Sequence, residues 1–521
     1  MTMASKLLAR VPPLFNDLAN TIAGDISCSL EVMSQYSQDK SPYRVLPQAV
    51  VSPKNAQDIK HVLSFAHEYA MPVTVRGSGG GSVGGALGEG IILDMSRYYS
   101  VVRSVNVLEN TVTVDAGTTV RALLEKLHSW GVDIPILTYE DDTTTLGALV
   151  ATKSSSPSSF CHGTIREWVE GITVVVDTGE EHHITDGISP SGRLLGIYQS
   201  VFPILIRENP ILRAHKPSSF DDATGYNLWS TQVGPRQLID QIVGSEGTLS
   251  IITSVTLRVT PYKPYRITSC IPITDKKLLP LCIEEAKKSG AEHLYLYDET
   301  CMQLAERYAP LVVPFFIDTP YVLLVTHAGF GKDAVRTMSY AYTSTIPIEH
   351  YTIKTIEDDS ILQRIHDRNF WFSLYENYTR GALLPVNQGE GLVVTLAQLP
   401  LLLEQLEEYL NTLGRFYTIT GNVGSGVVTV TTLFDTKSLS YSKELLEYSK
   451  NLFSIIKNYR GGISAIGGEG MARTPFLSYV YNDAVLTIFK TIKDAWDPRA
   501  ILNPGKKVSG TLAYLEKHLK R

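Results

Sequence analysis

One stretch combines residue types and spacing that imply chemistry, a glycine run, Arg76-Gly-Ser-Gly-Gly-Gly-Ser-Val-Gly-Gly85. No packed helix or strand tolerates that density, because each glycine raises the entropic cost of ordering. Such a loop exposes backbone N–H groups with little side-chain cover, which suits the close approach of a phosphate or pyrophosphate. Arg76 stands at its mouth as a cation.

The elements around the run decide what it holds. It leaves a strand at Pro72–Val75 and closes before another, Ile91–Asp94. A P-loop requires Lys-Ser or Lys-Thr after the glycines, and none follows. A GxGxxG does occur as Gly79 to Gly84. A Rossmann site, however, needs a helix directly after it, and here the chain runs straight into a strand. What remains is a strand-to-strand loop that holds a diphosphate by its backbone.

At 521 residues two or three domains are expected. A net charge of −6 gives no basic footprint for nucleic acid. The five cysteines, at 28, 161, 270, 282 and 301, form no CxxC pair, so neither a zinc ribbon nor an iron–sulfur cluster is indicated. The scatter fits a reducing compartment. Asn16 and Asp17 interrupt the N-terminus before a signal-peptide core forms, and no run reaches the length of a membrane span. The expectation is a cytoplasmic protein, with peripheral membrane contact left open.

Along the chain, Val45–Val51 reads as a strand, and Asn55 as the N-cap of a helix carrying Ile59, Val62, Leu63 and Ala66 on one face. Helix 119–129 stops at Gly131. Residues 139–147 and 152–160 are loops; the second reads as a linker or as a ligand-lining segment rich in hydroxyls. A hairpin spans 171–176 and 182–184, a helix 235–242 and a strand 255–259. Pro261 and Pro264 mark a boundary. Beyond it strands at 267–273, 293–297, 321–326, 415–420 and 427–433 alternate with helices at 275–289, 299–307, 332–343, 400–413 and 438–457. That is an α+β pattern, an antiparallel sheet backed by helices. The tail from 476 to 507 reads as helical.

Several motifs, in order, resemble the vanillyl-alcohol-oxidase-type, or PCMH-type, FAD flavoproteins. They are the run from Arg76 with the strand ending Leu-Asp-Met-Ser96, and Gln48-Ala-Val-Val-Ser-Pro53. Thr144-Thr-Leu-Gly-Ala148 with His162-Gly-Thr-Ile-Arg-Glu-Trp-Val169 follows, then Thr224-Gly-Tyr-Asn-Leu228 and Gly244-Ser-Glu-Gly-Thr-Leu249. Asp497-Pro to Asn503-Pro-Gly505 comes last. The branch resembled is that of the D-lactate and D-2-hydroxyglutarate dehydrogenases and the glycolate oxidase flavoprotein subunit. The resemblance covers 44–260 strongly and 265–460 thinly.

The resemblance implies an N-terminal lead-in (1–43), a two-subdomain FAD-binding domain (44–262), an antiparallel-sheet cap domain of ferredoxin-like arrangement (263–475), and a C-terminal helix returning to the flavin domain (476–521). It implies FAD held by Arg76, Gly77, Ser78, Gly79, Gly80, Gly81 and Ser82, by Thr145, Gly147, Ser155 and Gly163, and by Glu246, Gly247, Ile252 and Asn503. The first loop has no histidine or cysteine, so FAD is expected to be non-covalent; attachment at Cys161 or His162 is the alternative. Metal-binding members of the branch carry G-H-x-x-x-G-x-x-H and a later Glu-His pair. The matching stretches here are Gly421-Asn-Val-Gly-Ser-Gly-Val-Val-Thr429 and Gly467-Gly-Glu-Gly-Met471, in which Asn422 and Thr429 replace the two histidines, Glu469 is kept and Gly470 replaces its histidine. Glu469 reads equally as a general base and as a hydrogen-bonded structural carboxylate. One carboxylate beside an amide and a hydroxyl is a poor donor set for a transition metal, so no metal is expected. Arg364 and Arg368 lie where the branch carries a carboxylate-binding arginine. The expected activity is FAD-dependent dehydrogenation of a small D-lactate-like 2-hydroxy acid, with Glu469, Arg368 and Asn422 as candidate catalytic groups. The alternative is a divergent FAD protein that has lost that chemistry and serves as an electron-transfer or binding subunit or oxidises another alcohol. The sequence carries no signal for the electron acceptor.

Overall fold

The computed structural model describes residues 12–138, 143–230, 234–310, 318–348, 351, 353–381 and 383–520, the side chains of Asp359 and Arg368 excepted. Tyr139 to Asp142 of the first predicted loop lie outside the described residues. Two sheets build the N-terminal half. The first runs in the order Asp25–Ser27, Ala49–Ser52, Ile91–Asp94, Val73–Arg76, with the last three strands parallel. The helix Ala56–Glu68 covers it. Asn55 caps that helix by accepting from the N–H of Asp58 (3.0 Å), and Ile59, Val62, Leu63 and Ala66 are buried at helical spacing. Each such side chain contributes about 1.5–3 kcal/mol of burial for the larger ones. The second sheet is antiparallel, in the order Val102–Asn106, Thr111–Asp115, Ile251–Arg258, Val169–Val175, Glu181–Thr185.

The C-terminal half is one seven-stranded antiparallel sheet. Its order is Lys354–Ile356, Tyr265–Ile273, Tyr321–Gly329, His293–Asp298, Tyr417–Gly421, Val427–Phe434, Leu384–Val393. The helices Leu279–Lys288, Leu399–Thr412 and Tyr441–Asn458 bury their apolar stripes against it, with Leu402, Leu406, Leu452 and Phe453 in the core. Val83 and Leu87 of the glycine loop belong to that same core. Packing therefore ties the loop to the C-terminal sheet. Among the described residues no helix is long and apolar enough to cross a membrane.

Three expectations need correction. The tail is helical only over Asp483–Trp496, with a 3₁₀ stretch at Thr474–Tyr479. After it the chain turns, with left-handed residues at Ala500 and Asn503: Leu502 bridges Val73 in parallel, and the N–H of Asn503 bonds to the Val73 carbonyl (2.8 Å), beside the glycine loop. The strand read at 255–259 begins earlier, at Ile251, because Gly247 to Ser250 turn rather than continue a loop. The loops read at 139–147 and 152–160 are not loops throughout, since Leu146–Thr152 and Ser159–His162 are helical.

Candidate functional site

The glycine loop forms one wall of a cavity of about 310 Å³. Gly77, Ser78, Gly79, Gly80 and Gly81 line it. A side chain is sterically excluded at two of these positions. A Cβ at Gly77 would overlap the Thr145 hydroxyl, and one at Gly79, where φ is +76°, would overlap the Arg76 guanidinium. A Cβ at Gly81 would meet nothing within 4 Å, so the backbone there faces open space. Arg76 borders the cavity but supports the loop from behind. Its guanidinium donates to the carbonyls of Tyr36 (3.1 Å) and Gln38 (3.0 Å) and lies 5.0 Å from the centre of the Tyr36 ring. Ser82 is buried outside the cavity lining and its hydroxyl donates to Glu390.

Four further predicted positions line the facing wall. Thr145 opens the helix Leu146–Thr152, and Gly147 bonds through its N–H to the Ala116 carbonyl (2.7 Å), an approach that a Cβ would block. Ser155 is anchored by its N–H to the Ala465 carbonyl (2.7 Å), and Ile252 stands on the second sheet. Glu246 and Gly247 also line the cavity, in left-handed conformations with φ of +55° and +69°. Gly163 and Asn503 do not line it. Gly163 turns the chain after Ser159–His162. Asn503 braces the loop from behind, donating to the carbonyls of Gly85 (3.1 Å) and Glu246 (2.7 Å). Cys161 and His162 are likewise outside the lining.

The C-terminal sheet closes the cavity, and its register sets out the contacts. Tyr297 pairs with Thr420, and Thr420 pairs with Thr429. The Thr429 hydroxyl accepts from the N–H of Gly391 (3.3 Å), which places Glu390 next in the row. Side chains two apart share a strand face, so Tyr295 joins Tyr297, and Asn422 joins Thr420. All six border the cavity. Beside them, Trp371, Phe372 and Tyr375 from the helix Arg368–Thr379 complete an aromatic end. Asn422 donates to the Ser155 hydroxyl (3.3 Å). Its Oδ1, the Thr145 hydroxyl and the Ser250 hydroxyl are buried, border the cavity and find no partner in the protein. Buried polar atoms of that kind cost about 1–3 kcal/mol each unless a ligand meets them. A backbone-lined loop with orphaned hydroxyl and amide groups opposite it fits a large polar cofactor.

Glu469 is not brought to the cavity. It is fully buried, accepts from the Gly225 N–H (2.7 Å) and the Ser464 hydroxyl (2.8 Å), and pairs with Lys507. Lys507 also meets Glu246 at 3.2 Å, and Glu246 accepts from the N–H groups of Glu469 (2.7 Å) and Gly470 (2.8 Å). Burial, joined by the charge of Glu246 and opposed by Lys507, pushes the Glu469 carboxyl up to about 8. Burial acts on Glu246 in the same sense, but Lys507 and its N–H donors outweigh it and leave that carboxyl below its usual range. This buried triad joins the flavin-side turn, the 467–470 loop and the C-terminal return. The Arg368 side chain lies outside the described residues; its position begins the helix that carries the aromatic end.

Sequence reasoning missed Glu390, Asn387 and most of the aromatic end. Glu390 and Asn387 sit on Leu384–Val393, whose pairing shifts register twice, so its alternation is broken. The spacing of Trp371, Phe372 and Tyr375 at i, i+1 and i+4 was the available signal for one helix face.

Two family models match the chain. One describes an FAD binding domain and covers 47–185; the other describes the C-terminal domain of FAD linked oxidases and covers 281–507. A D-2-hydroxyglutarate dehydrogenase of Pantoea ananatis is 25% identical over 97% of this chain and 52% of its own length. The Bacillus subtilis glycolate oxidase subunit GlcD is 23% identical over 90% of this chain and 91% of its own. The D-lactate dehydrogenase of Archaeoglobus fulgidus is 23% identical over 91% and 95%. The chain spans about half the length of the first of these relatives. Among solved structures, 4-ethylphenol oxidase from Gulosibacter chungangensis superposes with a TM-score of 0.69 at 16% identity, covering 95% of this chain and 96% of that one. An alkyldihydroxyacetonephosphate synthase superposes at 0.68 with 17% identity, over 95% and 84%; both likenesses concern the fold. By its two matched regions and their order, the chain carries an FAD binding domain followed by the C-terminal domain of FAD linked oxidases.

Proposed function

We propose that this protein dehydrogenates a 2-hydroxy acid to the 2-oxo acid. One observation carries the reading: a single cavity is walled on one side by the glycine loop of the FAD binding domain and on the other by the polar and aromatic face of the C-terminal sheet. FAD is held by Gly77 to Gly81, Thr145, Gly147, Ser155, Glu246, Gly247 and Ile252, with Arg76, Ser82 and Asn503 bracing the loop. It is held without a covalent bond, since the glycine loop carries no histidine or cysteine and Cys161 and His162 lie outside the lining. When bound, FAD supplies the two-electron acceptor for the hydrogen on the hydroxyl-bearing carbon.

The chain's own residues do the rest. Glu390 is the cavity-lining carboxylate of the C-terminal sheet and takes the proton of the substrate hydroxyl, its orientation fixed by Ser82. Thr429 and Asn422 hold the hydroxyl in line with it. Glu469 takes no part in proton transfer, and no metal is invoked. The five cysteines are free thiols, which supports action in the cytoplasm.

The engagement of Glu469 by Lys507 favours a second reading. In that reading the FAD site persists and a different alcohol is oxidised, or none. Anaerobic titration of the flavin-loaded protein with D-lactate, D-2-hydroxyglutarate and glycolate, followed at the flavin visible band, separates the two. Bleaching by any of them supports dehydrogenation; an intact band with all three and with larger 2-hydroxy acids refutes it.

A further inference from the structure

The cavity's C-terminal wall has two chemically distinct ends. The row Tyr297, Thr420, Thr429, Glu390 crosses four neighbouring strands. At one strand spacing per step it is about 14 Å long. A three-carbon acid can touch the polar end or the aromatic end but cannot span both.

The aromatic end is built from Tyr295, Tyr297, Trp371, Phe372, Tyr375 and His366. Its rings are mutually packed: Tyr295 and Tyr297 have centroids 4.8 Å apart, and Tyr297 and Trp371 5.1 Å apart. Their polar tips are engaged by the protein. The Tyr297 hydroxyl and the Trp371 indole N–H both donate to the Ile365 carbonyl, at 2.9 and 2.6 Å. The Tyr375 hydroxyl meets Thr418 at 2.8 Å, and that of Tyr295 donates to Thr420 at 3.4 Å. Burial holds the His366 imidazole at about 4, so it is neutral at physiological pH. Of the carboxylates that line the cavity, Glu390 stands at the other end of this wall and Glu246 on the wall of the glycine loop. Among the described side chains this end presents chiefly ring carbon, and the Lys40 ammonium that lies 5.5 Å from the centre of the Phe372 ring is held by Asn369 (2.6 Å). A sugar-like body, with hydroxyls around its rim, would leave those hydroxyls unmet. A flat apolar ring would gain stacking of about 0.5–1.5 kcal/mol per aromatic pair beyond its burial.

The geometry points to a substrate whose hydroxyl-bearing carbon also carries a flat apolar substituent of about one aromatic ring, seated against Tyr295, Tyr297 and Trp371. This rests on the hydroxy-acid reading for the reaction, though ring binding is measurable without turnover. The test uses the flavin-loaded protein and calorimetric titration with 3-phenylpropionate and propionate, which lack the hydroxyl and cannot be oxidised. D-gluconate serves as a polyhydroxylated acid of similar size. The phenyl acid should bind at least about tenfold tighter than propionate, a factor worth about 1.4 kcal/mol. Trp371→Ala should remove most of that preference and Trp371→Leu part of it, with thermal melts certifying that both fold. A preference near one overturns the inference. So does tighter binding of D-gluconate, or an undiminished preference in a well-folded Trp371→Ala. In parallel, D-3-phenyllactate should bleach the flavin at lower concentration than D-lactate. If the phenyl preference holds and no hydroxy acid bleaches, the ring site stands and the hydroxy-acid reaction is refuted.

Discussion

Lys507→Met tests the buried triad most severely. Lys507 is fully buried, pairs with Glu469 and Glu246, and donates to the carbonyls of Ala223 (2.9 Å) and Gly225 (3.0 Å). Removing one partner of a buried ion pair costs about 3–5 kcal/mol, because the remaining charge is left uncompensated. With an unfolding entropy of about 2.1 cal/mol/K per residue over a unit of roughly 220 residues, that is a drop in melting temperature of about 7–11 °C. The drop should grow with pH. Without the ammonium, two carboxylates face each other, and each proton released as pH rises adds repulsion. Thermal melts monitored by flavin fluorescence at pH 6 and pH 8 provide the assay. Adding Glu246→Gln to Lys507→Met should recover most of the loss, since Glu246 is the carboxyl that Lys507 holds ionised and a neutral amide needs no counter-charge. A variant that melts within about 1 °C of the parent at pH 8, against the penalty expected for a broken buried pair, would refute the reasoning.

Other outcomes follow from the same geometry. In the parent, the Glu469 carboxyl titrates at about 8 folded against 4.5 as a free group. The folded state thus keeps a proton that the unfolded chain releases, and stability contributed by this group falls as pH rises from 4.5 to about 8; Glu469→Gln should flatten that slope in denaturant titrations. Glu390→Gln should retain FAD and lower kcat by about 10²–10⁴-fold with any oxidised substrate, as expected for loss of a general base. Gly77→Ala should purify with little flavin, because its Cβ overlaps the Thr145 hydroxyl. Combined with Thr145→Ala it should regain part of its flavin, the next contact being the Thr145 Cβ at 3.3 Å. Flavin-to-protein absorbance ratios read both.

Much of the flavin side was legible because its signals are local. A glycine-dense loop between two short Val/Ile strands has few structural solutions, and its positions 77 to 81 line the cavity. The helix 235–242 and the Gly131 stop were readable from a proline at the helix start and a positive-φ glycine at the end. The C-terminal wall was less legible for physical reasons. Strand Leu384–Val393 contains Asn-Gln-Gly-Glu-Gly, a turn-like run that becomes strand only because bulges let Gly389 and Gly391 pack against Val430 and Ile466. Base and structural carboxylate were equally open readings of Glu469 because its partner, Lys507, is distant in sequence and arrives with the C-terminal return. The helix Leu146–Thr152 hid in a threonine-rich run, and Gly192–Arg207, which contains Pro203, gave no clean periodic signal. Long-range pairing decided each of these cases.

Counting product against flavin tests the central claim most directly. The flavin-loaded protein is mixed anaerobically with excess D-3-phenyllactate or D-lactate, the loss of the visible band is recorded, and the 2-oxo acid released is quantified. The account predicts one 2-oxo acid formed for each flavin reduced. An unchanged band with no 2-oxo acid from any 2-hydroxy acid would contradict it.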